Sequence, residues 1–387
     1  MTPPCDLYFV SAEASGDELA YETIEALRVL GFDGQVRAAG DARLAKIADR
    51  ADIDLSSLSV LGLTEGLLAY RRVRRLVREV AADILEARPK LVVLVDSWGF
   101  TLRVAQTIQA AAPHIRLVKL IGPQVWATRP GRAKTLAETV DHLLCIHDFE
   151  EPFYEPHGLK TTVIGHPALQ RLGRGDAAEF RARFNLEADA PLLAIFPGSR
   201  VSEINRMGPA LLETAVRMKR YHPDLNIVFA PSNRVAQTLS SLHGQNGNGI
   251  VVIDEALKFD LMAAADLAIA VSGTVTTEIA AHDTPVITGY RTGTITFLLA
   301  KHILMKAPFI SLVNMAAGEG VMPELIQDGF TADALVTEVE RLLRDPNESA
   351  RRVAAQNEAL SKMGAGQRLA AEVAANAILS DYKDVVR

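Results

Sequence analysis

The sequence predicts an α/β protein made of two doubly wound, Rossmann-like domains, and three observations carry that expectation. The chain has 387 residues, more than one ordinary domain holds. Short apolar runs alternate with helix-periodic stretches, twice over. The clearest run, Leu91-Val92-Val93-Leu94-Val95, is apolar at every position, as expected of a parallel strand covered on both faces. With 49% hydrophobic and 23% charged residues, the composition is that of a globular chain.

The first half opens as strand, loop and helix. Leu7 to Val10 is apolar, Ser11 to Asp17 is a loop of small and acidic residues, and a periodic segment runs to Leu30. Gln35 to Ala39 reads as a second strand, ending at Gly40. Leu91–Val95 follows, then Leu117 to Ile121, His142 to Ile146 and Thr162 to Ile164. The turn-rich stretch 166–176 reads as a linker. A second alternation has strands at Leu192 to Phe196, Asn226 to Ala230, Ile250 to Ile253, Leu267 to Ala270 and Pro285 to Thr288; beyond Ala332 the pattern is helical only. The expected organisation is a first domain over 1–170, a second over 171–345, and a helical tail over 346–387 that packs back on the first. Two such domains facing across a cleft would present the carboxyl ends of their strands to ligands.

Phe196-Pro197-Gly198-Ser199-Arg200 joins an apolar run to a helical one from Ile204 to Tyr221. Such a turn leaves backbone N–H groups and a positive dipole end for an anion, and Arg200 adds a planar charged fork. The plain alternative is an ordinary turn with a surface arginine. Ser272-Gly273-Thr274 repeats the pattern ahead of a helix from Val275 to Ala281, with Thr274 as its expected N-cap. Glu278, one turn in, suits two vicinal hydroxyls such as those of a ribose; otherwise it is a solvated glutamate.

Asp96 ends the best buried strand, where a carboxylate can act as general base on a sugar hydroxyl or can cap the next helix. Glu13, Ser15, Gly16 and Asp17 fill the first loop, and Asp17 can also serve as a cap. Leu61, Leu63, Leu67 and Leu68 precede Arg71, Arg72, Arg74, Arg75 and Arg78, which lie opposite Val73, Leu76, Val77 and Val80 on one helix. This is a solvated basic face, or a surface for anionic lipid and acyl chains.

A net charge of -6 argues against a general nucleic-acid binder. Cys5 and Cys145 have no metal-ligand spacing, no metal site is apparent, and the thiols fit a reducing cytoplasm. His166 reads as structural. The N-terminus lacks a signal-peptide pattern, and no run approaches the ~20 apolar residues of a span, so a membrane role is expected to be peripheral.

The pieces together resemble the lipid-A-disaccharide synthase family over nearly the whole chain. The similar segments are 11–17, Gly62-Leu63-Thr64-Glu65, and Gly122 to Ala127 with Arg129 and 130–132. Phe149-Glu150, Phe153-Tyr154 and Gly165-His166-Pro167 follow, then Pro197 to Arg200 with Glu203 and Ser272 to Thr274 with Glu278. Gly289-Tyr290-Arg291, Ser311-Leu312 with Asn314, Ala317-Gly318, and Glu324-Leu325 with Gln327 complete the set. The resemblance implies a GT-B, inverting glycosyltransferase that uses neither metal nor cofactor. Its donor would be UDP-2,3-diacylglucosamine and its acceptor 2,3-diacylglucosamine 1-phosphate. The product would be the β-1,6-linked lipid A disaccharide 1-phosphate, with release of UDP, at the cytoplasmic face of the inner membrane and in a possible homodimer.

By the same resemblance Asp96 is the base. Arg200 and the N–H groups of Ser199, Gly273 and Thr274 hold the diphosphate, Gly198 and Ser272 belong to the same UDP-binding turns, and Glu278 takes the ribose. Tyr290, Asn314, Glu324 and Gln327 contact uridine or sugar, and the first loop lies on the acceptor side. Three positions depart from the family pattern: Gly99 replaces a second acidic residue, Thr128 a tryptophan and Glu319 an arginine. A different UDP-sugar enzyme with another lipid acceptor, an epimerase, a diamino-sugar substrate and a non-catalytic paralogue stay open on the sequence alone.

Overall fold

The computed structural model describes residues 5–59, 66–170, 172–187, 189–233, 235–243, 250–293, 307–366 and 368–387. It divides into two compact units, Met1–Gln170 with Gly366–Arg387, and Arg171–Ala365.

The first unit carries a parallel sheet of β1 (Leu7–Ser11), β2 (Val36–Gly40), β3 (Arg50–Asp54), β4 (Leu91–Val95), β5 (Arg116–Leu120), β6 (His142–Cys145) and β7 (Lys160–Val163). Their order is β3-β2-β1-β4-β5-β6-β7. β1 and β4 are buried at every residue, which explains their unbroken apolar runs. The order turns back between β1 and β4, so the loops after these two strands flank the switch point.

The second unit repeats the plan with β8 (Leu192–Phe196), β9 (Asn226–Phe229), β10 (Ile250–Val252), β11 (Leu267–Val271), β12 (Val286–Tyr290) and β13 (Glu324–Ile326). All pairings are parallel, in the order β10-β9-β8-β11-β12-β13. Here the switch point lies between β8 and β11, the strands that lead into Pro197-Gly198-Ser199-Arg200 and Ser272-Gly273-Thr274.

Two strands escape the sequence reading, and both are sheet edges. β3 reads Arg-Ala-Asp-Ile-Asp with only Ile53 buried, and β13 has three half-buried residues. Neither has the apolar signature of a covered strand.

The helical tail is corrected. Helix Pro346–Lys362 does not return to the first unit. Its Gln356 side chain accepts from Val286 N–H (3.0 Å) and donates to Thr284 C=O (3.0 Å), which fixes it at the start of β12. The chain crosses over after Gly364 and Gly366, both in left-handed conformations. Of the tail's described residues, helix Ala370–Val386 is the part that packs on the first sheet, burying Ala370, Ala371, Ala374, Ala375 and Ile378 against Leu7, Phe9 and Leu19. Buried Asp381 anchors it through His142 Nδ1 (2.5 Å) and Lys160 Nζ (2.9 Å), and Tyr382 donates to Asp6 (2.7 Å). Among the described residues, no helix is long and apolar enough to cross a membrane.

Candidate active site

In the second unit, the two turns at the switch point line one cavity of about 340 Å³. Gly198, Ser199, Arg200, Ser272, Gly273, Thr274 and Glu278 all reach it, so seven residues chosen from sequence meet in one place. Helix Val201–Tyr221 starts immediately after Arg200 and points its N-terminal end at this region. Gly198 is at φ 103, and a Cβ there would lie 2.6 Å from Glu203 Oε2, so the turn requires glycine.

Two expectations for these turns change, and one plain alternative falls. The Ser199 N–H does not stay open for an anion: Glu203 Oε2 accepts from Ser199 N–H (3.0 Å) and Arg200 N–H (3.2 Å), tying the turn to the first helical turn. Thr274 is not the N-cap; Gly273 holds that place and Thr276 Oγ1 donates to its carbonyl (2.8 Å). Glu278 is not a free, solvated carboxylate, because Lys258 Nζ donates to it at 2.8 Å.

Lys258 lines the cavity too, and the sequence reading missed it. It sits at the start of a short helix with no motif around it, so only the fold brings it to Glu278. Arg200 pairs with Glu203 at 2.9 Å, yet its side chain is 71% exposed and can turn toward a ligand.

Tyr290, Asn314, Glu324 and Gln327 do not line this cavity among the described residues. Tyr290 ends β12 and packs on the core. Glu324 accepts from Ile310 N–H (2.9 Å), Ser311 N–H (2.8 Å) and Asn314 Nδ2 (2.9 Å), so Asn314 and Glu324 brace their own segment. Gln327 pairs with the Thr292 backbone through both ends of its amide.

In the first unit, Glu13 and Asp96 gather around the other switch point. Asp96 does not cap the helix after it: helix Trp98–Ala111 has Ser97 as N-cap, without a side-chain cap bond. Asp96 and Ser97 are both left-handed, at φ 44 and 43, a costly conformation for non-glycine residues that clusters at functional sites. Glu13 is the N-cap residue of helix Ala14–Val29. Burial, then the neighbouring Asp96 charge, raises the Glu13 carboxyl above the usual carboxylate range. Gly16 lets this helix approach β4, since a Cβ there would meet Ser11 Oγ at 2.7 Å and Val95 at 3.4 Å.

Asp17 neither caps the helix nor joins this pair. It is buried four residues into the helix, where it accepts from Asp41 N–H (3.3 Å). Burial and then the Asp41 charge push its carboxyl up to about 6. Ser15 is exposed.

The sequence reading also missed Lys119. It lies in β5, 2% exposed, and its ammonium donates to Asp96 C=O and to Thr101 Oγ1 (2.8 Å). Burial pulls it down to about 7, against the opposing pull of Asp96 and Glu13. The available signal was a lysine in the middle of the otherwise apolar run Leu117 to Ile121.

At Gly99 an added Cβ would meet only Arg103 Nη1, at 3.7 Å, so the missing acidic side chain has room and is not excluded by packing. His166 lies against His147 (ring centroids 5.5 Å), and burial lowers both imidazoles, His147 to about 3. Among the described residues no cluster of three or more His, Cys, Asp or Glu could hold a metal ion.

Helix Gly66–Ala87 buries Leu76, Val77, Val80 and Ile84, while Arg71, Arg72, Arg75 and Arg78 are exposed. Leu61 and Leu63 lie outside the described residues, as do the side chains of Leu67 and Leu68.

A family model for lipid-A-disaccharide synthetase matches residues 7–378. The lipid-A-disaccharide synthase of Paramagnetospirillum magneticum is 34% identical over 376 residues, covering 96% of each chain. Among solved structures, the chain is similar to MnaA of S. aureus in a structure with UDP (TM-score 0.61, 12% identity, 100% and 97% of the two chains). It is also similar to MurG of Acinetobacter baumannii (TM-score 0.59, 13% identity, 97% and 100%). These structural likenesses establish the GT-B fold.

Proposed function

Since the chain belongs to the lipid-A-disaccharide synthase family, we propose how its own residues divide the work of that reaction. The chain is a glycosyltransferase of lipid A biosynthesis. It joins UDP-2,3-diacylglucosamine to 2,3-diacylglucosamine 1-phosphate through a β-1,6 linkage and releases UDP. The observation that carries this reading is the cavity where both β8 and β11 turns meet, at the switch point of a nucleotide-binding type of sheet.

The donor's diphosphate binds against Arg200 and the Ser272–Thr274 turn. The ribose diol takes Glu278, with Lys258 holding that carboxylate in place and adding positive charge beside the diphosphate. Asp96 accepts the proton of the acceptor's 6-hydroxyl as the oxygen attacks the donor's anomeric carbon. The bond from that carbon to the diphosphate breaks, its electron pair leaves with UDP, and the configuration inverts. Arg200 offsets the charge that grows on the departing phosphate. Tyr290, Asn314, Glu324 and Gln327 then act at one remove, by shaping the wall beside β12 and β13.

Both substrates carry acyl chains, and the exposed arginines of helix Gly66–Ala87 suit an anionic bilayer surface at the cytoplasmic face of the inner membrane. Replacing Arg71, Arg72 and Arg75 by Glu should lower binding to anionic vesicles roughly a hundredfold or more, at about 1 kcal/mol per cation.

The test of the whole reading is direct. Purified protein is incubated with UDP-diacylglucosamine and diacylglucosamine 1-phosphate, and UDP and disaccharide are followed together. Equal yields of both are expected; UDP release without the disaccharide, or only with another acceptor, rejects it.

A further inference from the structure

Lys119 has no part in the reaction as described, yet its placement is expensive. An ammonium on so deeply buried a side chain loses its hydration and is tolerated only where charge and hydrogen bonds replace it. We propose that Lys119 is a positioning residue for the proton-accepting side of the site: it holds the Asp96–Ser97 turn in its left-handed shape and supplies the counter-charge beneath Glu13 and Asp96. The inference rests on the reading of Asp96 as the base.

The hydrogen bonds form a closed set. Lys119 Nζ donates to Asp96 C=O and to Thr101 Oγ1 (2.8 Å), and Thr101 Oγ1 donates to Asp96 C=O (2.7 Å). Asp96 N–H donates to Leu120 C=O at 2.8 Å, one residue along β5 from the lysine. Both backbone groups of Asp96 are therefore tied to β5 or to groups that β5 holds. Two successive non-glycine residues at positive φ persist only when their surroundings over-determine them, and these contacts do so.

A neutral donor could satisfy the same carbonyl and hydroxyl. The charge needs its own account, and the titratable groups that face Lys119 provide it: Asp96 from the end of β4 and Glu13 from the end of β1. The Asp96 charge opposes ionisation of the Glu13 carboxyl, and the Lys119 charge favours it. The Glu13 carboxyl is raised first by burial and then by Asp96, and Lys119 works against both.

The experiment is a pH profile of kcat/KM for Lys119→Met beside the unaltered protein, with UDP affinity and melting temperature measured on each. The acidic limb should move up by roughly one pH unit, because the positive charge on the acceptor side of the site is gone. Loss of the tied turn should lower kcat roughly tenfold to a hundredfold. UDP affinity should not change.

A folded Lys119→Met with an unmoved limb overturns the proposal, whatever its kcat, since a purely structural lysine would change stability alone. If Lys119→Met does not fold, Lys119→Gln keeps an amide donor and removes the charge. The same limb shift is then expected, and its absence is equally fatal. Asp96→Ala, assayed in parallel, separates the two ideas. Activity there removes the base assignment itself, whereas an inactive Asp96→Ala with an unshifted Lys119→Met removes only the role of the lysine.

Discussion

The switch points of the two sheets hold the same topological position and use it in opposite ways. In the second unit the arginine is at the surface and the turns are set by glycine and by a buried carboxylate clasp: Gly198 at positive φ, Glu203 on the N–H groups of Ser199 and Arg200, and an exposed Arg200. In the first unit the lysine is inside, a strained non-glycine turn carries Asp96, and burial shifts the carboxyl of Glu13 and the ammonium of Lys119. The difference follows from the tasks. A diphosphate is a permanent anion and needs a shaped, positive, solvent-reachable recess. A proton transfer needs a base held in a fixed place, and the buried Lys119 with Thr101 ties the turn that carries Asp96.

The contrast can be broken at four places, taken from the largest effect down. Asp96→Asn removes the base and should lower kcat roughly 10²- to 10⁴-fold in the disaccharide assay. A smaller loss would mean that the first switch point only positions substrate. Arg200→Ala should lower kcat/KM for the donor roughly tenfold to a hundredfold, the range for hydrogen bonds to a charged group.

Lys258→Met should raise the donor KM by a factor of about five, since its pairing with Glu278 is partly solvent-screened. An unchanged KM would leave the lysine as a surface partner only.

Asp17→Asn concerns stability and not turnover. The Asp17 carboxyl is held at about 6, above its ordinary value of 3.8, by burial and by Asp41. The folded chain thus keeps a proton that the unfolded chain releases, and the stability it gives is full below 3.8 and lost as pH rises through 6. The melting temperature of the unaltered protein should fall relative to Asp17→Asn between these pH values. Parallel curves would contradict the protonated state.

What could be read from the sequence was what local chemistry writes locally. The covered strands β1, β4, β8 and β11 announce themselves by unbroken apolar runs, and the turns after β8 and β11 by glycine and serine at the strand ends. Edge strands β3 and β13 do not, because an edge needs no apolar face on every residue. The roles of Lys258 and Lys119 were equally hidden: each is made by a partner far along the chain, Glu278 for one and Asp96 with Glu13 for the other. Helix Pro346–Lys362 was assigned to the wrong unit for the same reason, since the amide of Gln356 finds its partners 70 and 72 residues away. The pattern that suggests ligand contact at Asn314 and Glu324 is equally that of an internal clasp.

The division of labour between the units is tested most directly by calorimetric titration of UDP into Asp96→Asn and Arg200→Ala. Asp96→Asn should bind UDP with the affinity of the unaltered protein, while Arg200→Ala should bind at least roughly tenfold more weakly. Equal losses in the two variants, or weaker binding in Asp96→Asn alone, would contradict the account.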